Sequence, residues 1–498
     1  TIIHKAGTVF YNKAQVQNRD LSVACLRVFS RMWHEEQIAA GEERARKHAK
    51  REETAKAKGE EVPAMEPYTP LPLTVLEAFS ATGLRSLRYA LEVPGLERII
   101  ANDLLPEAVA AIERNVAFNE VSHIVVPNEN DASMECYMHR APDKRFAIVD
   151  LDPYGSPAAF LDGAVQSVAE GGLLCITATD LAVLCGSHTE ACYAKYNSTS
   201  LRGKHCHEQA LRIILHATDA RACVYKRYIV PLLSVQMDFY VRIFVRVYTS
   251  PNIVKNTASK QGIVFQCIGC GSLATQPLGK VTVNGASTKY TPATGPSVAD
   301  TCEHCGSKFH VGGPMWLPPI HDADFVAKVR AEVDAMGDAL AAGRRLAGLL
   351  SVVADELPNV ALLHHLGAMS NVLKTSTISL KEFRSALHHA GYLSSVSHTD
   401  SLGVKTTAPL SVLWDIWRCW VRTHPVVARA ENHVSTRILA KQPELEANFT
   451  VTAEFNAKRD RDKPKFLPAP EANWGPMQRA KPRMGESEDV REVMAAKR

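Results

Sequence analysis

A short polar loop follows one of the most apolar stretches of this chain. Residues 146–150 predict a buried strand, and Asp152, Pro153 and Tyr154 follow it after one leucine. A carboxylate in this position can accept a hydrogen bond from a substrate and take up its proton. Pro153 would stiffen the loop, and Tyr154 would offer a ring face for stacking. The alternative is an ordinary tight turn, since Asp, Pro and Gly are the usual turn residues.

From Asp152 to Pro157 the chain resembles the Asp/Asn-Pro-Pro-aromatic loop of enzymes that methylate exocyclic amines. The amine of a nucleic-acid base is a poor nucleophile, because its lone pair is delocalised into the ring. Asp152 would draw that lone pair out of the ring plane and then remove a proton. The base must first leave its stack, and Tyr154 would then hold it by stacking. The loop therefore favours methyl transfer to a base amine.

Two pairs of cysteines have a spacing typical of zinc ligands. Each pair is a Cys-x2-Cys turn followed by glycine, and 31 residues separate the pairs. Four thiolates at these spacings suit a tetrahedral structural Zn²⁺ with no open position for catalysis. The long separation implies an extended ribbon or loop, and unrelated free cysteines are the alternative. The predicted ligands are Cys267, Cys270, Cys302 and Cys305.

A cofactor site is predicted where the first three strands end. The first strand ends at Glu77, and a turn of small residues leads into the helix that carries Arg85, which would let a ligand approach the backbone. Asp103 ends the second strand, where doubly wound folds place a carboxylate on a ribose hydroxyl pair. Asp131 follows the third strand and could accept a hydrogen bond from an adenine amine. A nicotinamide dinucleotide would also fit these acids, but the Asp152 loop argues against hydride transfer.

Short apolar runs alternate with amphipathic stretches from Leu73 to Tyr248, which predicts an α/β domain. Seven runs have the length and composition of strands. They are Leu73–Glu77, Arg98–Asp103, His123–Asn128, Phe146–Asp150, Gly172–Thr177, Ile229–Gln236 and Phe239–Val247.

Charged segments flank the folded regions. Residues 35–66 are rich in Lys, Arg, Glu and Ala, which predicts an exposed insertion, either helical or disordered. RNA contact through its basic run is a weaker alternative than a solvated charged helix. We predict five parts: an N-terminal segment that contributes to the active site (1–34), the insertion (35–66), the α/β domain (67–255), a C-terminal domain with the cysteine site (256–440), and a basic, proline-containing tail (441–498).

The C-terminal domain is predicted to be α+β. Helical periodicity runs over residues 324–357, and Ser379 with Glu382 has the spacing of a capping box that opens another helix. A strand-like stretch follows, so the order fits either a winged-helix-like unit that grips RNA or helix packing without RNA contact. Three tryptophans at spacing three on a later helix predict core contacts; they are Trp414, Trp417 and Trp420.

Composition limits the class of protein. A chain of 498 residues is too long for one core and predicts two folded units. The net charge of +4 permits a nucleic-acid partner without demanding one. The remaining cysteines are scattered through apolar runs, as in a reducing compartment. No apolar stretch approaches the roughly 20 residues that span a bilayer. We predict no membrane segment and no obligate protein partner.

Residues 10–12, 18–22, 81–88 and 152–157 together make the chain resemble the tRNA (guanine-26, N2)-dimethyltransferase family. The resemblance covers most of the chain. It implies a class I, Rossmann-like S-adenosylmethionine-dependent methyltransferase domain followed by a family-specific C-terminal domain. The implied reaction adds two methyl groups in succession to the guanine between the D and anticodon stems of tRNA. Eukaryotic family members work in nucleus and mitochondrion, so both compartments are expected.

The resemblance also implies roles for individual residues. Asp152 is expected to be catalytic, with Phe10 and Tyr154 flanking the target base. An arginine fork would match the methionine carboxylate of the cofactor, although an ion pair with a local acid is the alternative. The residues expected to contact S-adenosylmethionine are Arg19, Arg85, Asp103, Asp131 and Ala132.

Two other functions fit parts of the sequence. An amine methyltransferase acting on another RNA or on DNA would share the pocket and the Asp152 loop, and only the motifs outside the loop argue for tRNA. A non-catalytic RNA-binding or folding factor would keep the zinc site and the basic segments. Acids at Glu77, Asp103, Asp131 and Asp152 argue against that factor, because a vestigial pocket would not need them.

Overall fold

The computed structural model describes residues 15–58, 63–285, 287–427, 429–456 and 466–467. A seven-stranded sheet forms the centre of the N-terminal domain, and all seven predicted strands are confirmed. β5 begins earlier than predicted. The strands are β1 Thr74–Glu77, β2 Arg98–Asp103, β3 Val125–Glu129, β4 Phe146–Leu151, β5 Val168–Ala178, β6 Arg227–Met237 and β7 Tyr240–Thr249.

The strand order is β3-β2-β1-β4-β5-β7-β6. β1 pairs in parallel with β2 on one side and with β4 on the other. β7 is antiparallel to both of its neighbours, β5 and β6. The chain reverses its direction of winding between β1 and β4, and open α/β sheets bind ligands at the carboxyl ends of strands at such a point.

Helices cover both faces of the sheet and fill two hydrophobic cores, one on each side. The helices of this domain are α1 Val16–Lys56, α2 Leu84–Glu92, α3 Pro106–Phe118, α4 Ala132–Met138, α5 Leu161–Ser167, α6 Leu181–Leu184, α7 Thr189–Tyr196, α8 Cys206–Val224, α9 Pro251–Val254 and α10 Thr257–Lys260.

The first helix, α1, has two different halves. Its first half is largely buried, down to Phe29 and Trp33, and packs in the same core as the sheet. Nearly all of its second half is exposed. The first part of the predicted insertion is therefore helical and exposed, and it continues the buried first half of α1. Arg246 of β7 pairs with Glu36 close to where burial ends, with an Nη1–Oε1 distance of 2.6 Å.

The second domain begins with a small sheet of order β12-β8-β9 and a separate hairpin of β10 with β11. Two helices then return to the first core and pack beside α1. The elements are β8 Gln261–Cys267, β9 Leu273–Pro277, β10 Gly279–Asn284, β11 Ser287–Pro292, β12 Phe309–Trp316, α11 Ala323–Met336 and α12 Gly343–Asp355.

A winged-helix-like unit begins with α12. Its strands form a three-stranded sheet of order β13-β15-β14, and the chain order of helix, strand, two helices and two strands is that of a winged helix. The capping box at Ser379 is confirmed, and so is the burial of Trp414 and Trp417. The elements are β13 His364–His365, α13 Leu366–Leu373, α14 Leu380–His389, β14 Ser394–Ser397, β15 Asp400–Thr406, α15 Leu410–Thr423, α16 Val434–Leu439 and α17 Ala453–Asn456.

None of the helices in the described ranges is both long enough and apolar enough to cross a membrane.

Candidate active site and metal centre

The Asp152 loop leaves the sheet at the carboxyl end of β4, at the point where the winding reverses. Pro153 is buried and Tyr154 is exposed over 58% of its surface, so its ring is available to a ligand. Gly155 donates its N–H to the Thr179 hydroxyl at 2.8 Å and accepts from the Thr179 N–H at 2.9 Å. The loop is thus tied at its tip to the segment that follows β5.

A second tie lies just beyond the tip. Ser156 and Tyr196 share a hydrogen bond of 2.7 Å between their hydroxyl oxygens, and the Tyr196 hydroxyl is also bonded to Asp180. Rigid support of this kind holds a reactive group in place more precisely than a free loop would.

Two side chains from neighbouring helices bind the Asp152 carboxylate. Arg85 of α2 forms an ion pair with it, and Asn18 of α1 donates to it at 3.4 Å. Arg85 also reaches Asp150, with an Nη1–Oδ2 distance of 3.3 Å. Arg85 therefore makes the ion pairs with local acids that were the alternative to contact with a methionine carboxylate. Its contact with the cofactor stays a prediction.

Asp150 is the buried centre of this network. Arg242 of β7 binds both of its carboxylate oxygens, at 2.7 and 3.0 Å, and Tyr89 donates to it at 2.6 Å. Burial by itself would raise the pKa of Asp150, but the guanidinium groups of Arg242 and Arg85 outweigh it and lower the pKa to about 2. The resulting row of alternating charges runs from Arg242 through Asp150 and Arg85 to Asp152.

The charges of two predicted site residues act on the Tyr154 hydroxyl. Partial burial of its hydroxyl, together with the charges of Asp103 and Asp152, raises its pKa above the ordinary value. The hydroxyl thus stays protonated at neutral pH, and the side chain presents an uncharged ring. The structure brings the end of β2 and the Asp152 loop together around this ring.

Glu77 is buried beneath the turn that follows β1. It accepts from the Ser86 N–H and the Ser80 hydroxyl, each at 3.0 Å, and from the Ser86 hydroxyl. Burial raises its pKa to about 7, although Arg85 and the serine hydrogen bonds act in the opposite direction. Through these bonds Glu77 stabilises the turn after β1, and its contact with the cofactor stays a prediction.

The acids after β2 and β3 hold the neighbouring backbone. Asp103 accepts from the Ala81 N–H at 2.8 Å and from the Leu105 N–H at 3.1 Å, which links the end of β2 to the turn after β1. Asp131 caps α4 by accepting from Ser133 N–H, and the buried Ala132 begins that helix. Both acids lie at the carboxyl edge of the sheet, as predicted. Their contacts with S-adenosylmethionine remain predictions.

Two predicted residues belong to the N-terminal segment. Arg19 is half-buried in the first turns of α1, one residue after Asn18. Phe10 lies outside the described residues, so its predicted contact with the target base stays an expectation.

The four cysteines of the two pairs meet as predicted. Their sulfur atoms all lie within 4.8 Å of one another, and all four residues are buried. Gly271 and Gly306 have φ values of +71° and +69°, and each donates its N–H to the carbonyl of the first cysteine of its pair. A side chain would be strained in that left-handed conformation. Four thiols at these distances fit a tetrahedral structural Zn²⁺ that has no position left for a substrate.

Sequence reasoning missed the residues behind Asp152. Asn18, Asp150 and Arg242 were not singled out as site residues, although the two charged residues carried a signal. Arg242 is a charged residue within the apolar run of β7, and Asp150 stands inside the apolar end of β4. Charged residues in buried strands are rare unless they are paired, and that rule would have marked both residues as members of buried ion pairs.

The chain was compared with known proteins. A model of the N2,N2-dimethylguanosine tRNA methyltransferase family matches residues 1–418. The human tRNA (guanine(26)-N(2))-dimethyltransferase is 45% identical over 503 residues, covering 96% of this chain and 76% of the human protein. The mitochondrial tRNA (guanine(26)-N(2))-dimethyltransferase of Saccharomyces cerevisiae is 35% identical over 519 residues, covering 95% and 90%.

A solved structure agrees in fold. Trm1 from Pyrococcus horikoshii, in a complex with S-adenosyl-L-methionine, superimposes with a TM-score of 0.65 at 28% sequence identity. The match covers 85% of this chain and 96% of the Pyrococcus chain. The match therefore includes both domains. It agrees with a class I methyltransferase domain followed by a C-terminal domain that carries the cysteine cluster. The resemblance drawn from the motifs is confirmed, and the chain belongs to the N2,N2-dimethylguanosine tRNA methyltransferase family.

Proposed function

We propose that this protein transfers two methyl groups, one after the other, from S-adenosylmethionine to the exocyclic N2 of guanine 26 in tRNA, giving N2,N2-dimethylguanosine. One observation of the site carries the proposal. Asp152 stands at the open carboxyl edge of β4, oriented by Arg85 and next to the exposed ring of Tyr154. The names and activities of the relatives agree with this chemistry.

Two residues of the loop act on the base in this mechanism. Tyr154 stacks on the guanine that has left its helix. Asp152 accepts a hydrogen bond from the N2 amine, which localises the nitrogen lone pair, and takes the proton that the nitrogen loses when it gains a methyl group. The second transfer repeats these steps on the monomethylated amine, which still has one proton to give.

Arg85 orients the catalytic carboxylate. Its guanidinium lies between Asp152 and Asp150, and Asp150 is itself held by Arg242. When bound, S-adenosylmethionine supplies an electrophilic methyl group on its sulfonium. The carboxyl ends of β1, β2 and β3, with Glu77, Asp103 and Asp131, are the part of this chain proposed to hold it.

The test uses the full chain, labelled S-adenosylmethionine and two unmodified tRNA transcripts. One transcript has guanine at position 26 and the other has adenine there, and the modified nucleoside is identified by mass spectrometry. We expect N2,N2-dimethylguanosine in the first transcript alone. Label at another base, or in both transcripts, would reject guanine 26 as the target and favour the alternative of a different RNA substrate. An absence of label despite cofactor and RNA binding would favour the non-catalytic factor.

The compartment is also a proposal. One relative at 35% identity is named as mitochondrial, and we propose that this protein acts in the mitochondrion and the nucleus. Fluorescence microscopy of the tagged chain with organelle markers would test both locations, and a signal in neither compartment would reject the proposal.

A further inference from the structure

Three metal-ligand side chains meet at the amino end of α8, apart from the active site and the four-cysteine cluster. Cys206 and His207 begin α8, and Cys185 directly follows α6. One ligand atom of each residue lies within 4.8 Å of the other two. All three residues are half-buried.

The imidazole of His207 lies beside the backbone of Thr399, in the turn between β14 and β15. Histidines that bind metals commonly donate the N–H of their second ring nitrogen to a carbonyl or carboxylate, which fixes the tautomer. A neutral imidazole carries only one N–H, so the other nitrogen keeps a lone pair for a ligand.

The charges around this group do not oppose a cation. Lys204 and Asp400 both act on Cys206 and on His207, and they have opposite signs. Two thiolates would therefore supply the dominant local charge once a metal displaces their protons.

We propose that Cys185, Cys206 and His207 bind a second Zn²⁺ ion, with water in the fourth position. Sulfur and imidazole nitrogen are the ligands that zinc prefers. With Zn–S distances of about 2.3 Å, the ligand atoms of a tetrahedral ion stand about 3.7 Å apart, which falls within the observed spread. The site is half-buried, so solvent can reach the fourth position.

A metal here would join three parts of the chain. It would clamp the end of α6 to the start of α8, and through His207 it would reach the winged-helix-like unit at Thr399. The segment between Cys185 and Cys206 contains Tyr196, and Asp180 directly precedes α6. The Tyr196 hydroxyl is bonded to Asp180 and supports the catalytic loop at Ser156. The proposed role is therefore to stabilise the support of that loop. It does not depend on the identity of the methylated base.

The test counts zinc in the full-length protein by inductively coupled plasma mass spectrometry, after saturation with Zn²⁺ and removal of excess metal. We expect about two zinc ions per chain. Cys206→Ser and His207→Ala should each lower the count to about one, the ion of the four-cysteine cluster. Cys223→Ser is the matched control, because Cys223 is a half-buried thiol of the same helix outside both groups, and it should keep two.

A second measurement on the unchanged protein avoids any effect of substitution on folding. Alkylation with iodoacetamide, followed by peptide mass spectrometry, should leave Cys185 and Cys206 unmodified in the zinc-loaded protein and modify both after chelation. One zinc per chain in the unchanged protein would overturn the proposal. So would two ions that persist in Cys206→Ser, or equal alkylation with and without zinc.

Discussion

Two aspartates only two positions apart illustrate how surroundings assign roles to identical side chains. Asp150 is fully buried between two guanidinium groups, and its low pKa keeps it ionised as a fixed support. Asp152 directly follows the last residue of the same strand and is partly exposed. Enzymes commonly separate the roles of neighbouring carboxylates through their environments. Removal of each residue should therefore have a different effect.

Replacement of Asp152 tests the catalytic role. Asp152→Ala should lower the rate of methyl transfer by at least about 10²-fold, as is typical after loss of a general base, while tRNA and S-adenosylmethionine still bind. Single-turnover kinetics and calorimetric titration would measure the two effects. Asp143→Asn, in an exposed turn, is the control and should keep full activity. An Asp152→Ala enzyme as active as the control would reject the mechanism.

Glu77 should make stability depend on pH. Its pKa is raised from 4.5 to about 7 in the folded state, so the folded chain holds this proton more tightly than the unfolded chain. That contribution is fully present below pH 4.5 and is lost as the pH rises through 7. Between pH 5 and 8 the unfolding free energy should fall relative to Glu77→Gln by on the order of 1–3 kcal/mol.

Urea unfolding of both proteins without cofactor, at several values of pH in that interval, measures the difference. The Gln side chain cannot ionise and still offers an oxygen to Ser86. Parallel profiles for the two proteins would show that Glu77 does not titrate in this range.

At the scale of elements, α1 combines two environments in one regular helix. Its first half is part of the core, and its second half is a charged surface helix. Packing of an apolar face supplies most helix stability in proteins, so the buried half should anchor the exposed one. The two halves should respond differently to the same kind of substitution.

Phe29 and Ile38 provide a matched pair on this helix. Phe29 is fully buried and Ile38 is 63% exposed. Phe29→Ala should lower the unfolding free energy by about 3–5 kcal/mol, because it leaves a cavity in the core. Ile38→Ala should change it by no more than about 0.5 kcal/mol. Denaturant unfolding measures both, and equal losses would contradict the division of α1.

At the scale of the whole molecule, buried ions join the two domains. Lys405 of β15 lies 3.0 Å from Glu208 of α8 and 3.5 Å from Glu356, which follows α12. Arg212 also pairs with Glu208, at 2.8 Å. The winged-helix-like unit is thereby attached to the methyltransferase domain by charges that have almost no access to water.

Lys405→Met should weaken this attachment. The substitution leaves Glu208 and Glu356 with fewer partners in a buried site, and removal of one member of such a group typically costs about 3–5 kcal/mol. The exposed Lys381→Met is the control and should be nearly neutral. Thermal unfolding would compare the two. Equal stability of both variants would show that the network contributes little.

The sequence by itself determined the features that depend on local pattern. Short apolar runs that alternate with amphipathic stretches predicted the strands of the seven-stranded sheet. The Cys-x2-Cys spacing predicted the cysteine cluster, and the pair of Ser379 and Glu382 predicted the start of a helix. These follow from residues close together in the chain, where periodicity and turn chemistry act directly.

Only the tertiary structure decided what joins distant residues. The partners of Asp152 come from α1 and α2, and Arg242 adds a charge from β7 that no local pattern connects to the loop. The winged-helix-like order depended on β13, a strand of two residues with no periodicity of its own, which is recognised by its pairing with β15. Ion pairs and short strands are stabilised by neighbours that folding brings together. Because these neighbours are distant in the sequence, their spacing along the chain does not predict them.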